Sequence, residues 1–219
     1  MRDNAQTTPQ AADAQGEPRL NRRQAAKIRT RQKVLDAARA LFAERGYEPA
    51  TIRDIAKGAG MSTGAVFANF QDKAELFEAV LSEDLARLAE TMKAAVAGES
   101  TLRARLMAVL SAGYHGSLEQ LPLVQAVVAR SWFQPVAAEM RTRAAITPLL
   151  AVVADALQAG VREGEVRQDA DVRLLSELIY GAYLSNYRRA AYDNWDMAAL
   201  TAQMGKQIDA ILAGHLARQ

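Results

Sequence analysis

The chain has no cysteine. That excludes disulfides and thiolate metal ligands, and it fits a reducing compartment. No unbroken apolar run reaches the roughly 18 residues that a membrane span requires. The first residues are polar and lack the apolar stretch of a secretory leader. The expected location is therefore the cytoplasm, with no membrane partner. Histidine is scarce: His115 and His215 stand far apart, with no carboxylate pattern beside either. There is no glycine-rich phosphate loop and no His-Glu-x-x-His pair, so an enzyme has no motif to rest on. Aromatic residues make up only 6 % of the 219, and the 13 glycines and 6 prolines are few. Strand-period segments and internal repeats are missing too. What remains is rich in Ala and Leu, half apolar, and long enough for one or two helical units with a proper core. The expected fold class is all-α.

The net charge is only +2, but it is unevenly spread: residues 1–73 carry +5 and the remainder −3. The sharpest block is "RLNRRQAAKIRTRQK", Arg19 to Lys33, with seven cations and no acid. Alone, such a block reads as a solvated helix face or as a contact for a polyanion.

Residues 1–18 have no apolar periodicity and are expected to form a disordered arm. From Asn21 the pattern turns helical, with Ile28, Leu35, Ala38 and Phe42 on one stripe and Val34 and Leu41 widening it. "ERGYEP" stops this helix: Gly46 suits a left-handed cap and Pro49 cannot continue it. Thr51 and Asp54 resemble a capping box opening a helix that ends near Lys57 or Gly58. Ser62 caps a second short helix, through Asn69 or Phe70. Asp72 then caps a long one, with Phe77, Leu81, Leu85, Leu88, Met92 and Val96 on one face, ending near Gly98. Further helices are expected at about 101–117, 120–133, 137–163, 169–193 and 196–217, with a kink at Pro148.

Two short helices so close together persist only if each buries an apolar side. Ile52, Ile55, Ala56 and Ala59 do so on the first, and Met61, Val66 and Phe70 on the second, with Gly60 in the turn. This is helix-turn-helix spacing. The residues left outward on the second helix, Ser62, Thr63, Gly64, Ala65, Phe67, Ala68 and Asn69, are small or neutral. Such a surface fits deep in a DNA major groove. Asn69 suits a bidentate contact to adenine, and Thr63 a contact to base or backbone. The helix carries no cation, so phosphate contacts fall to Arg53, Lys57, Lys73 and the Arg19–Lys33 block.

Residues 28–81 resemble the DNA-binding domain of the TetR family of transcriptional repressors. The resemblance rests on Thr51, Ile55-Ala56, Ala59-Gly60-Met61-Ser62, Gly64, Val66, Phe70, Lys73 and Leu76. It implies a three-helix DNA-binding domain at 19–81, with the helix-turn-helix at about 51–70, and a helical ligand-binding and dimerisation domain at 82–219. It also implies a homodimer on a palindromic double-stranded operator, released by a small-molecule effector, without a cofactor or metal. By the same resemblance, Thr51 meets a phosphate through its hydroxyl and backbone, and Lys73 pins the next one. Phe67 departs from the pattern: the family usually has a Tyr there, whose hydroxyl reaches a phosphate. Ala68 and Asn69 stand where aromatic and His residues are common.

In the second half, Leu174, Leu175, Leu178, Ile179, Ala182 and Tyr183 form one broad apolar face, and Leu200, Met204, Ile208, Ile211 and Leu212 another. Two such helices from each of two subunits make a four-helix interface, which places dimerisation at about 169–217. Met107, Tyr114, His115, Trp132, Phe133, Tyr180 and Tyr183 are the candidate lining of a pocket for a mostly apolar ligand. The other reading is a constitutive DNA-binding or architectural protein without an inducer.

Overall fold

The computed structural model describes residues 21–217, and all regular structure among them is helical. The expected N-terminal arm, like Arg19 of the basic block, lies outside the described residues. Helix α1 (Arg22–Arg45) begins with a full capping box: Asn21 Oδ1 accepts the Arg23 and Gln24 N–H groups, and Gln24 Oε1 accepts the Asn21 N–H. Its first buried residue is Val34, so the first three turns stand outside the core. Ile28, expected on the inner stripe, is 53 % exposed for that reason. Gly46 ends α1 with φ 79 and ψ −178, a positive φ that glycine adopts without strain, as expected of a cap at this position.

Helices α2 (Ile52–Gly58) and α3 (Thr63–Phe67) start at Thr51 and Ser62, and Gly60 takes φ 66 in the turn between them. The Thr51–Asp54 pair differs from a capping box. The Thr51 hydroxyl accepts the Asp54 N–H at 3.1 Å and donates to Asp54 Oδ2 at 2.6 Å. The short Asp side chain closes on the hydroxyl rather than reaching the cap backbone, as Glu does in the usual box.

Helix α4 (Lys73–Ala95), capped by Asp72, joins two hydrophobic cores. Its first half supplies Leu76, Phe77, Val80 and Leu81 to a core shared with α1, α2 and α3. Its second half supplies Ala89 and Met92 to a larger core built from the later helices. Those are α5 (Leu102–Leu118), α6 (Leu121–Ser131), α7 (Val136–Arg162), α8 (Val172–Tyr192) and α9 (Met197–Leu212). Helix α6 crosses the division: Leu123 is buried in the N-terminal core, with Ala126 and Val127 packed against it.

Helix α7 runs on through Pro148, which is exposed, so the missing N–H lies on the solvent side. It is long and apolar enough to cross a membrane by length and composition, yet Leu149, Val152, Val153, Ala156 and Leu157 are buried in the core. Helix α9 ends five residues before the expected 217, because the chain turns back. Leu216 forms an isolated antiparallel bridge with Val166, and the Ala217 N–H donates to Glu165 O at 3.0 Å. The Glu165 carboxylate in turn accepts the first amide of α5, Leu102 N–H, at 2.8 and 3.0 Å.

Candidate DNA-binding surface and ligand cavity

The helix-turn-helix presents Ser62, Thr63, Gly64, Phe67 and Ala68 to solvent, Phe67 at 55 % exposure, while Val66 and Phe70 anchor it from below. Ala65 is half-buried, and its N–H donates to Ser62 Oγ at 3.2 Å. Four of the expected contacts therefore sit on one exposed strip with Ser62. Exposed Arg53 and Lys57 flank it on α2, and Arg22, Arg23, Lys27, Arg29 and Lys33 project from α1. Arg23, Gln24, Lys27 and Thr30 face Ala68 and Asn69 across a groove, so the protruding turns of α1 lie beside the end of α3.

Three expected roles meet a different geometry. Asn69 is half-buried: its Nδ2 donates to Ala65 O at 2.9 Å, and its Oδ1 is buried without a hydrogen-bond partner among the described residues. An amide folded back on its own helix does not offer the bidentate edge that adenine needs. Thr51 spends its hydroxyl proton on Asp54, leaving its backbone amide as the donor on that side. Lys73 is the largest departure. Its ammonium donates to the carbonyls of Tyr47, Glu48 and Ala50 at 3.0, 3.2 and 3.1 Å. All three N–H groups are thus committed, and a free cation resting on a phosphate does not fit. Lys73 instead ties the chain between α1 and α2 to the start of α4.

The same lysine lies 4.1 Å from the centre of the Tyr47 ring, and the Arg130 guanidinium covers that ring at 4.0 Å. Burial raises the Tyr47 pKa, with Arg130 opposing the shift. Arg130 belongs to α6, so a stack of cation, ring and cation joins the later helices to the α1–α2 connection. On the opposite flank Arg39 of α1 pairs with Asp84 at 2.8 Å and Glu83 at 2.6 Å on α4.

A cavity of about 330 Å³ lies between α4, α5, α6, α7 and α8. Its wall is mainly aliphatic: Leu85 and Leu88 from α4, Val124 and Val127 from α6, Leu149 from α7. Leu81 and Leu123 also line it, and both are buried in the N-terminal core. Exposed Arg87 and Thr91 stand at its mouth. Helix α8 supplies Tyr180, Tyr183 and Tyr187.

Of the seven candidate lining residues, the structure brings Tyr180 and Tyr183 to this cavity. Tyr114 is fully buried behind it, stacked on Tyr183 with ring centres 4.6 Å apart. Met107 packs elsewhere, against Gly205 of α9. His115 is exposed, and Trp132 and Phe133 are 82 % and 91 % exposed at the α6–α7 corner with Val136 and Met140. Helical spacing places an aromatic on a face but does not say which face meets a hole, and these three face water. The cavity's aliphatic majority carries no signal of its own in the sequence, because such residues read equally as ordinary core.

The apolar faces of α8 and α9 are also used differently. Leu175, Ile179, Tyr183, Leu200, Met204, Ile208 and Leu212 are all buried within the monomer. Exposed on α8 are Leu174 and Leu178, each 49 %, in line with Gly181, around which nothing lies within 4 Å, and Ser185. Among the described residues no group of three or more His, Asp or Glu is placed to hold a metal.

Comparison with known proteins matches these two halves separately. The family model for bacterial regulatory proteins of the tetR family covers residues 34–80, and one for the C-terminal region of YsiA-like proteins covers residues 81–213. The HTH-type transcriptional repressor AcnR of Corynebacterium efficiens is 49 % identical over 65 residues, 30 % of this chain and 35 % of that one. This chain thus spans about a third of the length of the first such relatives. The fatty acid metabolism regulator protein of Bacillus subtilis is 27 % identical over 150 residues, 68 % of this chain and 76 % of its own. The fold is shared with the transcriptional regulator FadR of Bacillus subtilis, solved in complex with stearoyl-CoA. The TM-score is 0.71 at 21 % identity, covering 81 % of this chain and 96 % of that one. With one family model over its helix-turn-helix and the other over more than half its length, the chain belongs to the TetR family of bacterial transcriptional regulators.

Proposed function

We propose that this chain is a cytoplasmic transcriptional repressor that binds a palindromic operator as a homodimer and releases it when an apolar small molecule enters the cavity. One observation carries the reading. Leu81 and Leu123 are at once cavity wall and part of the core that supports the recognition helix. A ligand that shifts either moves the platform on which α2 and α3 sit.

Residues 19–81 form the DNA-binding unit, and residues 82–219 the ligand-binding and dimerisation unit. Ser62, Thr63, Gly64, Phe67 and Ala68 enter the major groove, and the cations of α1 and α2 follow the flanking phosphates. Lys73 acts as a positioning residue. The dimer forms along Leu174, Leu178, Gly181 and Ser185, where the glycine lets two α8 helices approach. Two recognition helices must then span half-sites about 34–36 Å apart, so a tilt of α4 or α6 breaks simultaneous contact. The names of the Bacillus relatives suggest a fatty-acyl group as the ligand class, and an aliphatic wall suits one.

The test has two stages. Selection from random duplex DNA should yield a palindrome bound by a dimer. Titration of that complex with fatty-acyl ligands should then weaken DNA binding by about 5–150-fold, and operator should weaken ligand binding by the same factor. A monomer that selects no palindrome refutes the DNA-binding reading. A ligand bound equally with and without operator refutes induction through it.

A further inference from the structure

We propose that Asp84 is the polar anchor of the cavity, so that the effector is a hydrocarbon chain carrying an O–H or N–H donor, a hydroxyl or an ammonium, for the free oxygen of that carboxylate. This rests on the reading of the cavity as the ligand site, and not on the acyl class that the relatives' names suggest.

The wall holds two kinds of polar group. Thr91, Ser117, Gln120 and the tyrosines of α8 line it. Each of these side chains both donates and accepts, so none of them sets a preference. Several are also engaged: the Tyr183 hydroxyl, 2.6 Å from where a Cβ on Gly113 would lie, bonds to Tyr187, and Ser117 partners both. Among the described residues, Asp84 and Arg87 are the only ionised side chains on the wall, and each works in one direction. The Arg87 side chain is 57 % exposed, so at the mouth water competes for it. The Asp84 side chain is 15 % exposed, and its Oδ2 is buried without a hydrogen-bond partner among the described residues.

The carboxylate is held in place for this role. Its other oxygen, Oδ1, accepts from Arg39 Nε at 2.8 Å and from Arg87. Arg39 is itself fixed by Glu83 at 2.6 Å and by Asp36 at 2.8 Å, and Gln32 donates to the same two acids at 3.5 and 3.1 Å. A group locked by its neighbours presents its remaining lone pairs in one direction. The cluster also sets three carboxylates, Asp36, Glu83 and Asp84, against two guanidiniums, Arg39 and Arg87. It is one positive charge short, and a further anion beside Asp84 would be repelled. A carbonyl or carboxylate against Oδ2 would set two acceptors face to face with no proton between them. A donor there satisfies an acceptor that is costly to leave buried and unpaired.

Four probes with the same ten-carbon skeleton separate the possibilities: decylammonium and 1-decanol, which donate, and 2-decanone and decanoate, which only accept. Binding is measured by calorimetry on the full chain at neutral pH. Each donor should bind at least about tenfold more tightly than either acceptor, the low end for a hydrogen bond to a charged group. Asp84→Asn should reverse the order. Its amide oxygen stays with the guanidiniums, which only donate, and its NH2 turns to the cavity, so 2-decanone gains on both donors. A role confined to holding Arg39 would weaken all four probes alike. If Asp84→Asn melts early, the ranking on the unaltered chain decides the matter alone. Leu88→Trp, which fills the aliphatic part, should abolish binding of all four. If decanoate or 2-decanone binds best to the unaltered chain, or the donor preference survives in a folded Asp84→Asn variant, the Asp84 assignment is wrong while the cavity stands. If no probe binds, or Leu88→Trp changes nothing, the cavity reading itself fails and this inference falls with it.

Discussion

The two hydrophobic cores are closed by different chemistry. The N-terminal core holds three mutually tilted rings, Phe42, Tyr47 and Phe77, with centres 4.9 to 5.9 Å apart, and its polar groups are caps and cations on its surface. The C-terminal half contains all three buried polar side chains found among the described residues, Thr142, Ser176 and Asn186, together with the tyrosines of α5 and α8. Asn186 bridges Tyr114 and Gln207, tying α8 to α5 and α9. A core of rings and aliphatics is stiff against its neighbours. The C-terminal core instead combines polar partners with a cavity beside them.

Alkaline pH should separate the halves most strongly. Burial raises the pKa of Tyr114, Tyr180, Tyr183 and Tyr187. The native state therefore holds phenolic protons that the unfolded chain releases near pH 10. Stability from these groups is complete below about pH 10 and is lost as pH rises above it. The slope is about 1.4 kcal/mol per pH unit for each tyrosine still protonated in the native state. The N-terminal core has one such group, Tyr47. Hydrogen exchange at pH 10 to 11 should show the C-terminal helices opening first. Simultaneous opening of both halves would mean that they unfold as one unit.

Glycine provides a second contrast. Gly113→Val forces the Tyr183 ring aside, and overpacking of this kind costs about 1–3 kcal/mol. At Gly60 nothing lies within 4 Å of an added Cβ. There Ala meets only the positive φ, at about 1–2 kcal/mol. Thermal melts should rank Gly113→Val below Gly60→Ala. Ligand binding should suffer only in the first, and DNA binding more in the second.

Lys73→Ala should lower stability by about 2 kcal/mol, because three carbonyls lose a charged donor. It should weaken DNA binding for every sequence alike. Its salt dependence is the discriminating measurement. A phosphate-bound lysine would flatten the log–log slope by roughly 1, whereas a lysine spent on Tyr47, Glu48 and Ala50 leaves it unchanged. Arg130→Ala comes next, at about 1 kcal/mol for a lost cation–π contact. It should leave operator affinity nearly intact and blunt the response to ligand, since it cuts a link between α6 and the DNA-binding half. An unaltered ligand response would leave α4 as the sole route.

The halves also differed in how far the sequence could be read. Thr51, Ser62 and Asp72 mark helix starts because a cap is a contact between near neighbours, visible in a short window. The spacing from Ile52 to Phe70 specifies a packed corner for the same reason. Lys73 looked like a surface cation because its partners lie 23 to 26 residues away. Met107, His115, Trp132 and Phe133 are pocket candidates on residue type alone. A cavity is a failure of packing among five helices, and periodicity reports which face of a helix is apolar, not where two such faces leave a gap.

The smallest predicted effect lies on the recognition helix. Phe67 is 55 % exposed at the end of α3, on the strip with Ser62 and Thr63. Phe67→Tyr adds a hydroxyl at the edge of a ring that already points outward, so it disturbs no core contact and should leave the melting temperature unchanged. On DNA the new O–H can donate to a phosphate oxygen. A neutral hydrogen bond nets about 0.5–1.5 kcal/mol, and the lower end applies here because water competes for an exposed hydroxyl. The gain, roughly twofold in affinity, should be the same for every operator variant, because a phosphate contact carries no base information. A larger gain confined to one sequence would place Phe67 against a base edge. Weaker binding by a normally folded variant would show that the ring packs against the sugar edge or a thymine methyl, where a hydroxyl is unwelcome, and that α3 enters the groove at a different angle.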